Sequence, residues 1–284
     1  MAQIDILGVP HSYELTAPRT SPQVLVFIHG WLLSSRYWQP PIERLADDYQ
    51  CLTYDLRGFG DSQSYRAKSH FHAGYTPAAY ARDLGILLEK LDISNAWLIG
   101  HSLGGSIALW AAAQFPSKVK GIFCVNSGGG IYIKEEFERF RAAGQIFVKF
   151  RPRWLPRVPL IDLLFQRDSV ARPVDRAWAK QRLVDFAIAN PEAALGTLLD
   201  STTEAEVHRL PQLVAKLKQP VYFITGDRDP VMEPKYVRHL ASFHPLFDGC
   251  GMNVIEIPEC GHLSMIEQPD AVAAEIRKIL ETHG

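Results

Sequence analysis

One stretch of the chain orders its residue types for nucleophilic chemistry: Gly100-His101-Ser102-Leu103-Gly104, a G-x-S-x-G pattern between the apolar run "AWLIG" and a helix-like segment at 103–114. At a sharp strand-to-helix turn a serine hydroxyl stands free at the carboxyl end of a sheet, and the flanking glycines are required because a Cβ would collide with the turn. Gly105 would let the helix lie close. A hydroxyl is a weak nucleophile until a base removes its proton, so Ser102 calls for a histidine and an acid. The bland alternative is a helix-capping serine in a chance pentapeptide.

Of the ten histidines, His262 in "PECGHLSMIEQPD" (258–270) falls on a loop between the last strand-like run and the final helix. That loop shares an edge with Ser102, which makes His262 the candidate general base. The acid comes from "TGDRDPV" (225–231). Asp229 is expected to orient the imidazole and stabilise its charged form; Asp227 reads as a solvated turn. His101 is expected to pack at the turn. His70-x-His72 lacks a third ligand at suitable spacing, and no HExxH, phosphate-loop or dinucleotide fingerprint is present in the chain. No metal and no cofactor are expected.

The elements that must position these residues follow from periodicity. Alternating segments near 4–7 and 12–15 suggest a hairpin, and "VLVFIHG" (24–30) and "CLTYDLRG" (51–58) read as buried strands flanking a helix around Ile42, Leu45 and Ala46. Thr76 and Pro77 open a helix over 76–92. Strand 96–100, helix 103–114 and strand 119–126 continue an alternation that requires parallel strands with crossover helices. Strand 221–225, helix 234–242, strand 252–257 and helix 270–281 resume it. The predicted fold is α/β, with a mostly parallel eight-stranded sheet flanked by helices. Residues 1–128 and 206–284 would form the core domain, and the aromatic, proline-broken stretch 129–205 a helical cap insertion.

Composition excludes some classes. The 284 residues carry a net charge of -1 with 47% hydrophobic and 21% charged residues, which argues against disorder and against a global field drawing the chain to nucleic acid or membrane. Cys51, Cys124, Cys250 and Cys260 lack CxxC spacing and read as buried free thiols. The start has no basic region followed by an apolar one, and no apolar run reaches the ~18 to 20 residues of a membrane span. A cytoplasmic protein is the expectation.

With these residues in place, the chain resembles the α/β-hydrolase superfamily. The resemblance rests on "FIHGW" (27–31), "DLRGFGDS" (55–62), "GHSLGG" (100–105), "TGDRDPV" (225–231) and "CGHLSMIEQPD" (260–270), and the order Ser, Asp, His is that superfamily's order. It implies an oxyanion hole from the backbone N–H groups of Trp31 and Leu103, and a structural loop at Asp55, Arg57 and Asp61-Ser62. Superfamily members with an aspartate or cysteine nucleophile are excluded by Ser102. The serine members include carboxylesterases, lipases, thioesterases, carbon-carbon bond hydrolases and the menaquinone-pathway enzyme that eliminates pyruvate, and some receptors keep the triad with little turnover. The expected activity is cofactor-independent hydrolysis of a hydrophobic carboxylic ester, with a small-molecule substrate and no nucleic-acid partner.

Between Arg139 and Arg157 six basic residues alternate with Phe140, Phe147, Phe150 and Trp154, without one Asp or Glu. Three readings compete: a solvated basic face beside an apolar core stripe, a patch in weak contact with a membrane surface, and a carboxylate-binding pocket.

Overall fold

The computed structural model describes residues 1–63, 74–129, 134–165 and 169–283, without the side chains of 134–137 and 164–165. Its sheet contains β1 (Ala2–Ile6), β2 (Val9–Leu15), β3 (Val24–Ile28), β4 (Gln50–Tyr54), β5 (Ala96–His101), β6 (Val119–Val125), β7 (Val221–Gly226) and β8 (Val254–Ile257), in the order β1-β2-β4-β3-β5-β6-β7-β8. The β1–β2 and β2–β4 pairs are antiparallel and the others parallel. The eight-stranded, mostly parallel sheet is therefore as the periodicity predicts.

Because side chains alternate across a strand, β3 supplies both sides of the sheet. Val26 and Ile28 join one core with α2 (Pro77–Lys90), α3 (Leu103–Gln114), α8 (Glu204–Lys216) and α9 (Pro234–Ala241). Leu25 and Phe27 face the other, with α1 (Gln39–Leu45), α10 (Ser264–Glu267) and α11 (Pro269–Glu281). Thr76 caps α2 by accepting the Ala79 N–H at 3.1 Å, and Pro77 follows where a missing N–H costs nothing. Between β6 and β7 the chain runs through α4 (Lys134–Lys149), α5 (Asp162–Phe165), α6 (Arg176–Ile188), α7 (Pro191–Ser201) and α8.

Two expectations need correction. Cys250 is exposed, unlike Cys51, Cys124 and Cys260, because it lies in the solvent-facing turn between α9 and β8. The aromatics of 140–154 are not a core stripe: Phe140, Phe147, Phe150 and Trp154 all stay substantially exposed. Arg141 and Arg151 are not a solvated face either, for they turn inward to the carbonyls of Leu199 and Phe186.

Helix α6 is tied to the core by Asp185, which accepts the Ser34 hydroxyl at 2.9 Å and the Gln181 amide at 2.9 Å. Burial pushes this carboxyl up to about 7, against the lowering effect of those bonds. The folded protein thus holds a proton that the unfolded chain releases near pH 4. This group's contribution is most favourable below about pH 4 and declines as pH rises to about 7, by an amount on the order of a few kcal/mol. Asp185→Asn should flatten that decline, so melting temperatures at pH 5 and pH 8 should converge in the variant; an unchanged difference would show that another group sets it.

Candidate active site

The carboxyl ends of β5, β6 and β7 lie side by side, which brings four distant segments to one edge. Gly100 is in register with Ile28 and Cys124, and Gly226 with Ile257. The ladder continues past the strands, with Ser102 N–H donating to Val125 O at 2.9 Å and Asn126 N–H to Ile224 O at 2.7 Å. In open parallel sheets ligands bind at this edge.

Ser102 sits at φ 51° and ψ -116°, a left-handed φ that a non-glycine residue holds only where its surroundings enforce it. The enforcement comes from close packing. A Cβ on Gly104 would lie 2.3 Å from Ile28 O, and one on Gly100 2.1 Å from Gly104 O. Gly105 approaches Ser127 equally closely, with 2.4 Å left between its absent Cβ and the Ser127 Oγ. The N–H of Leu103 opens α3 and has no acceptor within the helix.

His262 Nδ1 lies 2.8 Å from Asp229 Oδ2. The carboxylate only accepts, so Nδ1 carries the proton and Nε2 keeps its lone pair. Asp229 also takes the N–H groups of Val231 and Met232 on Oδ1, both at 2.8 Å, and the Asn126 amide on Oδ2 at 2.9 Å. Burial alone would raise the Asp229 carboxyl, but the His262 charge and these hydrogen bonds outweigh it and hold it below its ordinary value. Asp227 is exposed and accepts the Cys260 N–H at 3.2 Å, away from the imidazole.

The loop carrying His262 is pinned from several sides. His262 N–H donates to Ser169 O at 2.7 Å, and Glu267 accepts the N–H groups of Gly261, Leu263 and Ala171. His101 is buried, with its ring centroid 4.8 Å from that of His262, and its Nε2–H donates to His262 O at 2.8 Å. Burial, followed by the neighbouring His262 charge, lowers the His101 imidazole to about 3, so it braces the loop as a neutral ring.

Asn126, Ser169 and Glu267 escaped the sequence reading. Only Asn126 left a signal, as an amide ending the buried β6 run; it also accepts the Ser264 hydroxyl at 2.6 Å.

On the neighbouring loop, His29 accepts the Leu56 N–H on Nε2 at 2.9 Å and donates from Nδ1 to Gly30 O at 2.7 Å. Asp55 accepts the N–H groups of Ser35 and Asp61, each at 2.7 Å, and Arg57 pairs with Asp83 at 2.9 Å. The buried Ser62 hydroxyl accepts the Ser12 N–H at 2.8 Å. These groups hold the segment around Trp31 in place without facing the imidazole of His262.

A cavity of about 260 Å³ has Ser102, Leu103, His262 and Trp31 in its wall. Above them it is closed by Phe140, Phe147, Phe186 and Leu198 from α4, α6 and α7, so these helices cover Ser102. Arg182 supplies the one Lys, Arg, Asp or Glu side chain of its lining among the described residues, and its Nη2 donates to the Ser169 hydroxyl at 2.8 Å. The Trp31 indole N–H donates to Ala194 O at 2.9 Å, tying the wall to α7. His70 and His72 lie outside the described residues, among which no group of three or more His, Cys, Asp or Glu is placed to hold a metal ion. No helix among them is long and apolar enough to cross a membrane.

Residues 23–269 match the family model of the alpha/beta hydrolase fold, and the chain belongs to that family. It is 29% identical over 256 residues, 90% of this chain and 91% of the relative, to a 2-succinyl-6-hydroxy-2,4-cyclohexadiene-1-carboxylate synthase of Enterobacter sp. (strain 638). Its fold is similar to that of a thermophilic esterase from Thermogutta terrifontis, with TM-score 0.77, 22% identity and 99% of each chain covered. The enol-lactonase from Burkholderia xenovorans LB400 is similar too, with TM-score 0.76, 20% identity and coverage of 99% of this chain and 100% of that one.

The hydrogen-bond directions around Asp229 predict the effect of an isosteric change. In Asp229→Asn the amide oxygen is held by the N–H groups of Val231 and Met232, which turns the NH₂ toward His262 Nδ1. His262 should then carry its proton on Nε2. Nitrogen-15 NMR of the ring at pH 8 reads the tautomer directly, and an Nδ1–H retained in the variant would contradict the assignment.

Proposed function

We propose that the protein is a serine hydrolase that cleaves a carboxylic ester with a hydrophobic acyl group. The observation that carries the reading is the convergence in one apolar cavity of Ser102, held at a strained turn, and His262, held by Asp229 in the tautomer that leaves Nε2 basic.

In this reading His262 Nε2 removes the Ser102 proton as Oγ attacks the ester carbonyl. The N–H groups of Trp31 and Leu103 receive the oxyanion; removing one such donor typically costs ~3 to 4 kcal/mol of transition-state stabilisation. The imidazolium, stabilised by Asp229, gives the proton to the leaving alcohol. Water, activated by the same imidazole, then releases the acyl-enzyme. Asp229 stays ionised throughout because its low pKa keeps it the weaker base.

A second reading follows from the 29% identical relative, whose name denotes a synthase with an anionic product. There the same residues would act as a base for an elimination. The cavity weighs against it: a substrate bearing several carboxylates needs several cations to offset desolvation of several kcal/mol per ion, whereas Arg182 shares its wall mainly with apolar groups.

Multiple-turnover hydrolysis of p-nitrophenyl esters from acetyl to palmitoyl, with Ser102→Ala as control, tests the proposal. The cavity, at about 260 Å³, lies just below the ~300–1,000 Å³ range of ligand pockets, so the optimum should fall at butyrate to octanoate. Asp229→Asn should lower kcat by about 10⁴. Turnover equal to that of Ser102→Ala across the series would sink the ester reading and bring elimination or ligand sensing forward.

A further inference from the structure

Helix α4 has two unlike sides. At about 100° per residue, Arg141, Gly144 and Val148 share one of them. Val148 is buried, Arg141 donates to the carbonyls of Leu199 and Thr202, and a Cβ on Gly144 would lie 2.8 Å from Leu198. That side faces α7. Phe140 and Phe147, seven residues apart, flank it and border both the cavity and solvent.

The opposite side carries Arg139, Ile146 and Lys149, and runs on into Phe150. Ile146 is 61% exposed and Phe150 78%. The segment that follows adds Trp154, 58% exposed, and Leu160, 60% exposed, with Arg153 and Arg157 on the surface beside them. Burying side chains of this size is favourable, so leaving several uncovered on one segment marks an interaction site. From 139 to 163 the sole acid is Asp162, and it is buried against Arg176.

We propose that this face docks on an anionic phospholipid bilayer, which sets the mouth of the cavity at the lipid surface. Aromatic and aliphatic side chains enter the boundary between headgroups and acyl chains, where Trp is favoured. Arg139, Lys149 and Arg157 meet anionic headgroups, whose surface potential attracts basic side chains. A second copy of the chain fits less well, because a two-fold interface would set these cations against themselves. Docking goes beyond ester hydrolysis and is measured without turnover, so its failure and the failure of the ester reading are separate results.

The test is co-sedimentation of the full chain with phosphatidylcholine vesicles and with vesicles that also contain phosphatidylglycerol, at low and high salt. Binding should be at least about tenfold tighter to the anionic vesicles, and that preference should weaken in high salt. Phe150→Ser with Trp154→Ser should lose about tenfold or more of the binding, and Arg139→Glu with Lys149→Glu should erase the anionic preference. Both variants should keep the parent's thermal melt, since the altered side chains stand in solvent. The proposal is overturned by equal or absent binding to the two vesicles, or by variants that bind as the parent does. It is overturned also if sedimentation velocity without vesicles shows a dimer that the Ser variant splits, which would make the face a self-interface.

Discussion

At the turn after β5 the backbone of Gly104 rests on the carbonyl of Ile28 with no room for a Cβ. Because α3 begins there, its axis, its contact with β3 and the left-handed φ of Ser102 are set by one steric condition. Strain at a single residue costs on the order of 1–3 kcal/mol, and the packing of α3 against both strands holds it. The hydroxyl that emerges has the sheet behind it and the cavity in front.

Everything else at the site is brought to that hydroxyl by loops, and loops must have their polar backbone groups satisfied when buried. The protein meets this condition with acceptors that are buried or half-buried. Asp55 takes two N–H groups beside the Trp31 segment, and Glu267 takes four around His262. Asn126 ties Asp229, Gly261 and Ser264 together across three segments. A hydrogen bond of this kind contributes modestly on balance, but a buried partner left unsatisfied costs about 1–3 kcal/mol. The network therefore specifies one position for the imidazole more than it adds stability.

The helices between β6 and β7 stand in a different relation to water. Their inner sides close an apolar cavity over Ser102, and Asp185 and the Trp31 indole fasten them to the core. Their outer side leaves aromatic and basic groups in solvent. Phe147 belongs to both surfaces, stacked on Phe186 at 4.2 Å while lining the cavity. The cover of the cavity and the exposed aromatic and basic side are thus carried by the same helix.

The strands, the helices packed on the sheet other than α8 and α10, the G-x-S-x-G turn and the candidate residues Ser102, Asp229 and His262 were legible in the sequence. Burial on both sheet faces writes continuous apolar runs, helical packing writes a 3.6-residue rhythm, and a sterically closed turn admits only glycine beside its serine. These are local constraints, so each leaves a local pattern. Asn126, Ser169, Glu267 and Asp185 left almost none, since each acquires its role from a partner on another element. The same holds for the basic segment: Arg141 and Arg151 differ from Arg139 and Arg157 in where they point, not in type. Local sterics and periodicity determined which elements form and which residues could do chemistry; only tertiary packing decided which polar groups lose water, and hence which charges are held inside and which stay in solvent.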